Sequence, residues 1–138
     1  MKNYLLAFLL IFTVSVFAQN TEKETVEYLK ITQKKCLKRK GYQLVLKEVL
    51  SDSRCPEGVS CIWEGEIQVS VSVYQNRKFL KDEIVTISMK DLENNINLFS
   101  TYLPSNQKKI KSIGVLPYPK KDTKIDPKEY YIKIGYLK

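Results

Sequence analysis

Histidine is absent from all 138 residues. Its absence excludes Ser-His-Asp and Cys-His nucleophile systems, His-ligated zinc and imidazole proton shuttles. Glycine and proline number only five each, too few for a collagen-like or linker chain. There is no C-x-x-C pair to support thioredoxin-like exchange. A Gly-rich phosphate loop, a nucleophile elbow and a D-x-[DN]-x-[DN]-G calcium loop are missing too. Carboxylates remain as acid–base material, but the sequence pairs none of them. The expectation is a non-enzymatic protein with no catalytic residue, no metal and no cofactor.

What is present describes an ordinary globular chain. Hydrophobic residues make up 43% and charged residues 28%, which argues against disorder. At 138 residues one domain is expected. The only long apolar run is at the start. Lys2 precedes residues 5–17, which are apolar apart from Thr13 and Ser15, and Val16 and Ala18 sit at −3 and −1 of a cleavage site before Gln19. This reads as a signal peptide over 1–18, removed from a globular β domain over 19–138. A spanning helix needs about 20 apolar residues, and polar Gln19-Asn20-Thr21-Glu22 follow at once. The mature protein is therefore expected in the periplasm or outside the cell, with no membrane span. Cys36 lies too far downstream to carry a lipid anchor.

The mature segment alternates like a β protein. Ile67, Val69, Val71 and Val73 interleave with Gln68, Ser70, Ser72 and Tyr74, so a strand is expected over 62–74. Further strands are expected over 28–31, 42–50, 79–80 with 84–89, 108–116 and 130–137, with a turn at Gln75-Asn76-Arg77-Lys78. In 42–50, positions 42, 44, 46 and 50 share one face and Val45 and Val49 the other. About six strands and no long helix indicate an all-β fold, an antiparallel β-sandwich or small barrel. Leu92, Ile96 and Phe99 recur at helical spacing, so the alternative is an α+β fold with a short helix near 90–100.

Cys55 and Cys61 bracket a turn-rich segment containing Pro56 and Gly58. Export implies an oxidising compartment, where cysteines pair. Three pairings are open (36–55, 36–61, 55–61), and the short loop favours 55–61. Closing that ring contributes on the order of 2 kcal/mol by the chain-entropy argument. Trp63, two residues on, is expected to pack on the disulfide or the adjacent core, and Gly65 to mark a bulge or close backbone approach.

The string Asp52-Ser53-Arg54-Cys55-Pro56, four residues, Cys61, Trp63, Gly65 resembles a signature of small secreted bacterial proteins. Leu116-Pro117-Tyr118-Pro119, Ile125-Asp126-Pro127 and the final alternating segment resemble their tail. These matches span about a third of the mature chain. Glu64 departs from the small residue such proteins often carry there. The resemblance implies a secreted domain with a disulfide loop, and it transfers no catalytic residue.

Two surfaces are candidates for function. The first is a recognition loop formed by Asp52, Arg54, Glu57 and Trp63. Its plainer reading is a structural turn, in which Asp52 accepts backbone N–H bonds and Arg54 pairs with it or stacks on Trp63. Asp52, Glu57, Glu64 and Glu66 are close in sequence, but calcium needs several converging oxygens and no such loop is spelled here. The second surface is basic. Residues 30–40 hold six basic side chains and no acidic one, and Lys34, Lys35, Lys38 and Arg39 are its candidate anion binders. Lys108, Lys109 and Lys111 form a further cluster, as do Lys120, Lys121 and Lys124. Joined by the fold, such groups suit lipid headgroups or acidic polysaccharide; scattered lysine also simply keeps edge strands soluble. Nucleic acid is not an expected partner, since export removes it and no binding motif occurs. Tyr102, Tyr118, Tyr130, Tyr131 and Tyr136 can stack on sugars, although strand packing explains them as well. Cys36 is left as an unpaired thiol, expected to be buried between Ile31 and Leu37.

The resulting expectation is an exported binding module of the cell envelope or exterior. Its partner would be an anionic polysaccharide, a lipid headgroup or a secreted protein. The alternative is an inhibitor or regulator acting through the 51–66 disulfide loop, which is preorganised for that role.

Overall fold

The computed structural model describes residues 24–34, 36–37 and 40–138. The expected signal peptide lies outside these residues, as do Lys35, Lys38 and Arg39. Among the described residues, six antiparallel strands form two three-stranded sheets, with no closed barrel. Sheet A has the order β1 (Val26–Ile31), β6 (Tyr131–Leu137), β5 (Ile110–Leu116). Sheet B has the order β2 (Tyr42–Asp52), β3 (Ile67–Gln75), β4 (Lys78–Ile87). Helix α1 (Leu92–Tyr102) links β4 to β5. The fold is thus a small β-sandwich with the short helix that the spacing of Leu92, Ile96 and Phe99 offered as an alternative.

The sheets face each other across Leu46, Ile67, Val69, Val71 and Val85 on one side and Ile110, Val115, Ile132 and Ile134 on the other. The central strands β3 and β6 bury most completely because neighbours flank them on both sides. Helix α1 closes one flank with Phe99, which is fully buried, while Asn95 Nδ2 donates to the Thr86 carbonyl at 2.9 Å. Leu103 returns to extended backbone before Pro104, ending the helix. Asn76 and Arg77 both have positive φ, the geometry of a two-residue hairpin between β3 and β4.

Three sequence expectations change. Strand β3 begins at Ile67 rather than 62, because residues 53–66 are held by other bonds. β4 is one continuous strand ending at Ile87, which leaves Met89 exposed. In β2, register shifts after Leu46 and after Val49 each insert a residue and reset the alternation. Val49 therefore packs on the core and Leu50 faces solvent, the reverse of the simple period-two reading.

Candidate functional site

The connection between β2 and β3 starts from a local bond. Asp52 Oδ1 accepts from the Arg54 backbone N–H at 3.2 Å, an Asx-turn that bends the chain out of β2. The Arg54 guanidinium then returns to the same carboxylate, Nε to Oδ1 at 2.8 Å and Nη2 to Oδ2 at 2.6 Å. This fork-on-fork pair is largely covered, with the Arg54 and Asp52 side chains 7% and 14% exposed. Arg54 donors also reach the Val115 carbonyl at 2.5 Å and the Pro117 carbonyl at 3.0 Å. Its planar face lies 4.9 Å from the centre of the Tyr118 ring. The Tyr130 hydroxyl donates to Asp52 Oδ2 at 3.0 Å. One ion pair thus ties the end of β2 to the end of β5, the 117–118 turn and the start of β6. The stacking partner is Tyr118, not Trp63.

Burial raises the Asp52 carboxyl, but the bonds and charge of Arg54 and the Tyr130 hydroxyl outweigh it and hold the group below the usual aspartate value. Burial, and then the bond to Asp52, push the Tyr130 hydroxyl up.

Further along, Ser53 N–H donates to Glu66 O and Cys55 N–H to Glu64 O, each at 2.9 Å. Gly65 sits inside this ladder with φ +79°; a Cβ there would collide with the Ser53 carbonyl oxygen and lie 2.7 Å from the Arg54 Cα. The close approach expected at Gly65 is present. Glu57 N–H donates to Pro119 O at 2.9 Å, and Lys121 N–H to Glu57 O at 3.4 Å. The loop therefore lies against the 117–121 segment. Lys120 Nζ is 3.9 Å from Glu57 Oε2 on an open surface. Cys55 and Cys61 are joined, with Cα atoms 6.0 Å apart.

The far side of this loop is different. Ile62 is fully exposed and Trp63 is 59% exposed, with Val59 exposed beside them. Trp63 does not pack into the core as expected, because residues 61–66 are not strand and the alternation that would turn its ring inward does not apply. The reading of the residues missed Ile62; its one available signal was an isoleucine set between Cys61 and Trp63 in a turn-rich segment.

A cleft of about 590 Å³ opens beside β5. Ile113, Val115, Ile67, Ile87 and Leu92 give it an apolar wall, and Lys111, Lys133 and Glu64 bring charge to it. On the outer face of sheet A, Gly135 leaves room for the Tyr28 ring, and Lys133 Nζ lies 3.9 Å from the centre of that ring. Among the described residues, no group of three Asp, Glu or Cys side chains converges as a metal site.

The basic clusters are distributed unevenly. Gln33 Nε2 donates to Pro127 O at 2.5 Å, so the segment carrying exposed Lys34 shares one end of sheet A with the loop carrying Lys120, Lys121 and Lys124. Lys108, Lys109 and Lys111 lie at the opposite end of β5, roughly 20 Å away at strand rise. Cys36 is a free thiol and exposed, against the expected burial. It lies in the connection between β1 and β2, outside the sandwich, so neither sheet covers it.

No family model, curated protein or solved structure matches this chain. Among the described residues, no helix is long and apolar enough to cross a membrane.

Proposed function

We propose that this chain is an exported, non-enzymatic binding module of the cell envelope or exterior, and that a protein partner docks on its 55–63 loop. The observation that carries this reading is the exposed Val59, Ile62 and Trp63 on a loop whose base is locked. Exposed tryptophan and isoleucine on a rigid element suit an interface anchor, since little conformational freedom is lost on docking. The Cys55–Cys61 bridge favours the same oxidising compartment that the leader sequence implies. A regulator or inhibitor of another secreted protein is the specific form this reading takes.

A pull-down tests it. The purified protein is incubated under oxidising conditions with the envelope and secreted fractions of its source. Retention of one protein through high salt, lost in Ile62→Ser and Trp63→Ala, supports the reading. Retention unchanged in both variants overturns it. A second reading, an anionic ligand at the end of sheet A carrying Lys34, Lys120, Lys121 and Lys124, is favoured by the Gln33–Pro127 bond that joins the two segments. It requires binding that weakens steeply with salt.

A further inference from the structure

Strand β5 is an edge strand. Its partner is β6, and no strand pairs with its other side among the described residues. The direction of its backbone groups follows from two bonds. Leu137 N–H donates to Lys109 O at 2.9 Å. Leu137, Gly135, Lys133 and Tyr131 alternate along β6, so all four turn their polar groups towards β5. Their register partners Ser112, Gly114 and Leu116 turn back to meet them. Ile113 and Val115 must therefore turn N–H and C=O outward. The Arg54–Val115 bond agrees independently, since that carbonyl is met from the open side.

The outward edge opens on the cleft. Ile113 and Val115 lie on the core side of β5. Ser112 and Gly114, one residue out of phase, lie on the outer face with Gly135, Tyr28 and Lys133. A strand added here would alternate between two environments. One set of its side chains would meet Met89, Leu92 and the edge of Ile87, and the other would lie beside Lys133 and Lys111.

We infer that the β5 edge binds an extended segment of another protein in which apolar and acidic residues alternate. Charge selects this occupant. Neither Lys111 nor Lys133 has a carboxylate partner among the described residues, and Glu64 is the one carboxylate lining the cleft. The chain carries +8, which repels a second copy of itself at the same edge. An acidic polysaccharide would satisfy the lysines, but it would leave the Ile113 N–H and C=O, the Val115 N–H and the apolar lining without partners; the Val115 carbonyl already accepts from Arg54. Main-chain bonds would provide affinity and the alternating side chains selectivity. This surface is independent of the loop tip: Ile62 and Trp63 variants test that reading, and Ile113 tests this one.

The probe is a synthetic seven-residue peptide of alternating Glu and Val, titrated into the full-chain protein purified under oxidising conditions. Binding should slow amide exchange at Ile113 and Val115. N-methylation of one alternate set of peptide residues should weaken binding roughly tenfold or more, and of the other set hardly at all, because only one set faces β5. Ile113→Pro removes an outward N–H, together with a side chain packed against the core, and should abolish the exchange protection at Val115. Should that variant misfold, the methylated peptides decide alone. Lys133→Glu should weaken binding roughly fivefold. Equal binding of both methylated forms would overturn the proposal. So would absence of peptide binding while a uronic-acid polysaccharide binds, or concentration-dependent dimerisation that occupies the edge.

Discussion

The base and the tip of the 52–66 connection are built in opposite ways. At the base, the polar groups answer one another: Asp52 is met by Arg54 and Tyr130, Arg54 by two carbonyls and Tyr118, and the Ser53 and Cys55 N–H groups by the Glu66 and Glu64 carbonyls. At the tip, Ile62 and Trp63 stand in water a few residues away. The difference separates two kinds of importance. Charged residues, which look functional in a sequence, here hold the scaffold. The apolar residues, which look structural, are the ones presented outward. Burial decides between these roles, because a charge leaves water only when its partners are in place, while an exposed indole finds its favourable partner only on another molecule.

Gly65→Ala should break the base most severely. Its Cβ meets backbone rather than a movable side chain, at a φ that L-residues avoid. A loss of roughly 3 kcal/mol in urea unfolding is expected. Arg54→Leu should follow at about 2–3 kcal/mol, below the figure for a fully buried pair because some solvent reaches Asp52. Arg54→Lys should recover little, since an ammonium cannot reproduce the fork.

Acid provides a graded version of the same break. Asp52 is held low in the folded state, so the unfolded chain binds its proton at higher pH. The contribution is complete above the unfolded value of about 3.9 and is lost as pH falls through the lower folded value. Glu27, held low mainly by a bond to Lys138, and Glu83, held low mainly by Lys81, act in the same direction. Comparing wild type with Asp52→Asn by thermal melts from pH 6 to pH 2 isolates the Asp52 part. The variant should be less stable at pH 6, and its gap to wild type should narrow as pH falls towards 2.

Reduction of Cys55–Cys61 should cost about 2 kcal/mol and leave the sandwich folded, since the closed loop is short and the base bonds do not depend on it. Circular dichroism before and after reduction would check this. The smallest effect on stability is expected at the tip. Ile62→Ser and Trp63→Ala should change unfolding free energy by less than about 0.5 kcal/mol while weakening partner binding roughly tenfold or more. A stability loss at the tip as large as that at Arg54 would erase the contrast between the two regions.

Much of this arrangement is legible in the sequence alone. The alternation of Ile67, Val69, Val71 and Val73 marked the central strand because period-two burial is a local property. The Cys55–Cys61 pair and the close approach at Gly65 were legible because short spacing and glycine constrain the chain locally. Val49 and Leu50 were misassigned because the two bulges in β2 are set by pairing with β3, not by β2 itself. The sequence expects Trp63 on the disulfide or the adjacent core by extending a strand pattern that does not run through 61–66, and the ring is instead exposed. The role of Arg54 was only half visible: its pairing with Asp52 is two residues away, but Val115 and Pro117 are more than sixty.

The sequence by itself determined the class of fold, favoured the short cysteine loop among three pairings, and excluded chemistry that needs histidine. Periodicity, short spacing and composition are properties of neighbouring residues and need no partner across the molecule. The tertiary structure decided which residues are scaffold and which are surface. It joined Arg54 to the end of β5, set the 108–111 lysines apart from the 120–124 group, left Ile62 and Trp63 in solvent and, among the described residues, left the β5 edge of sheet A without a strand partner beside a cleft. Those outcomes depend on contacts between segments far apart in the chain, and burial and open backbone edges exist only once both sheets have formed.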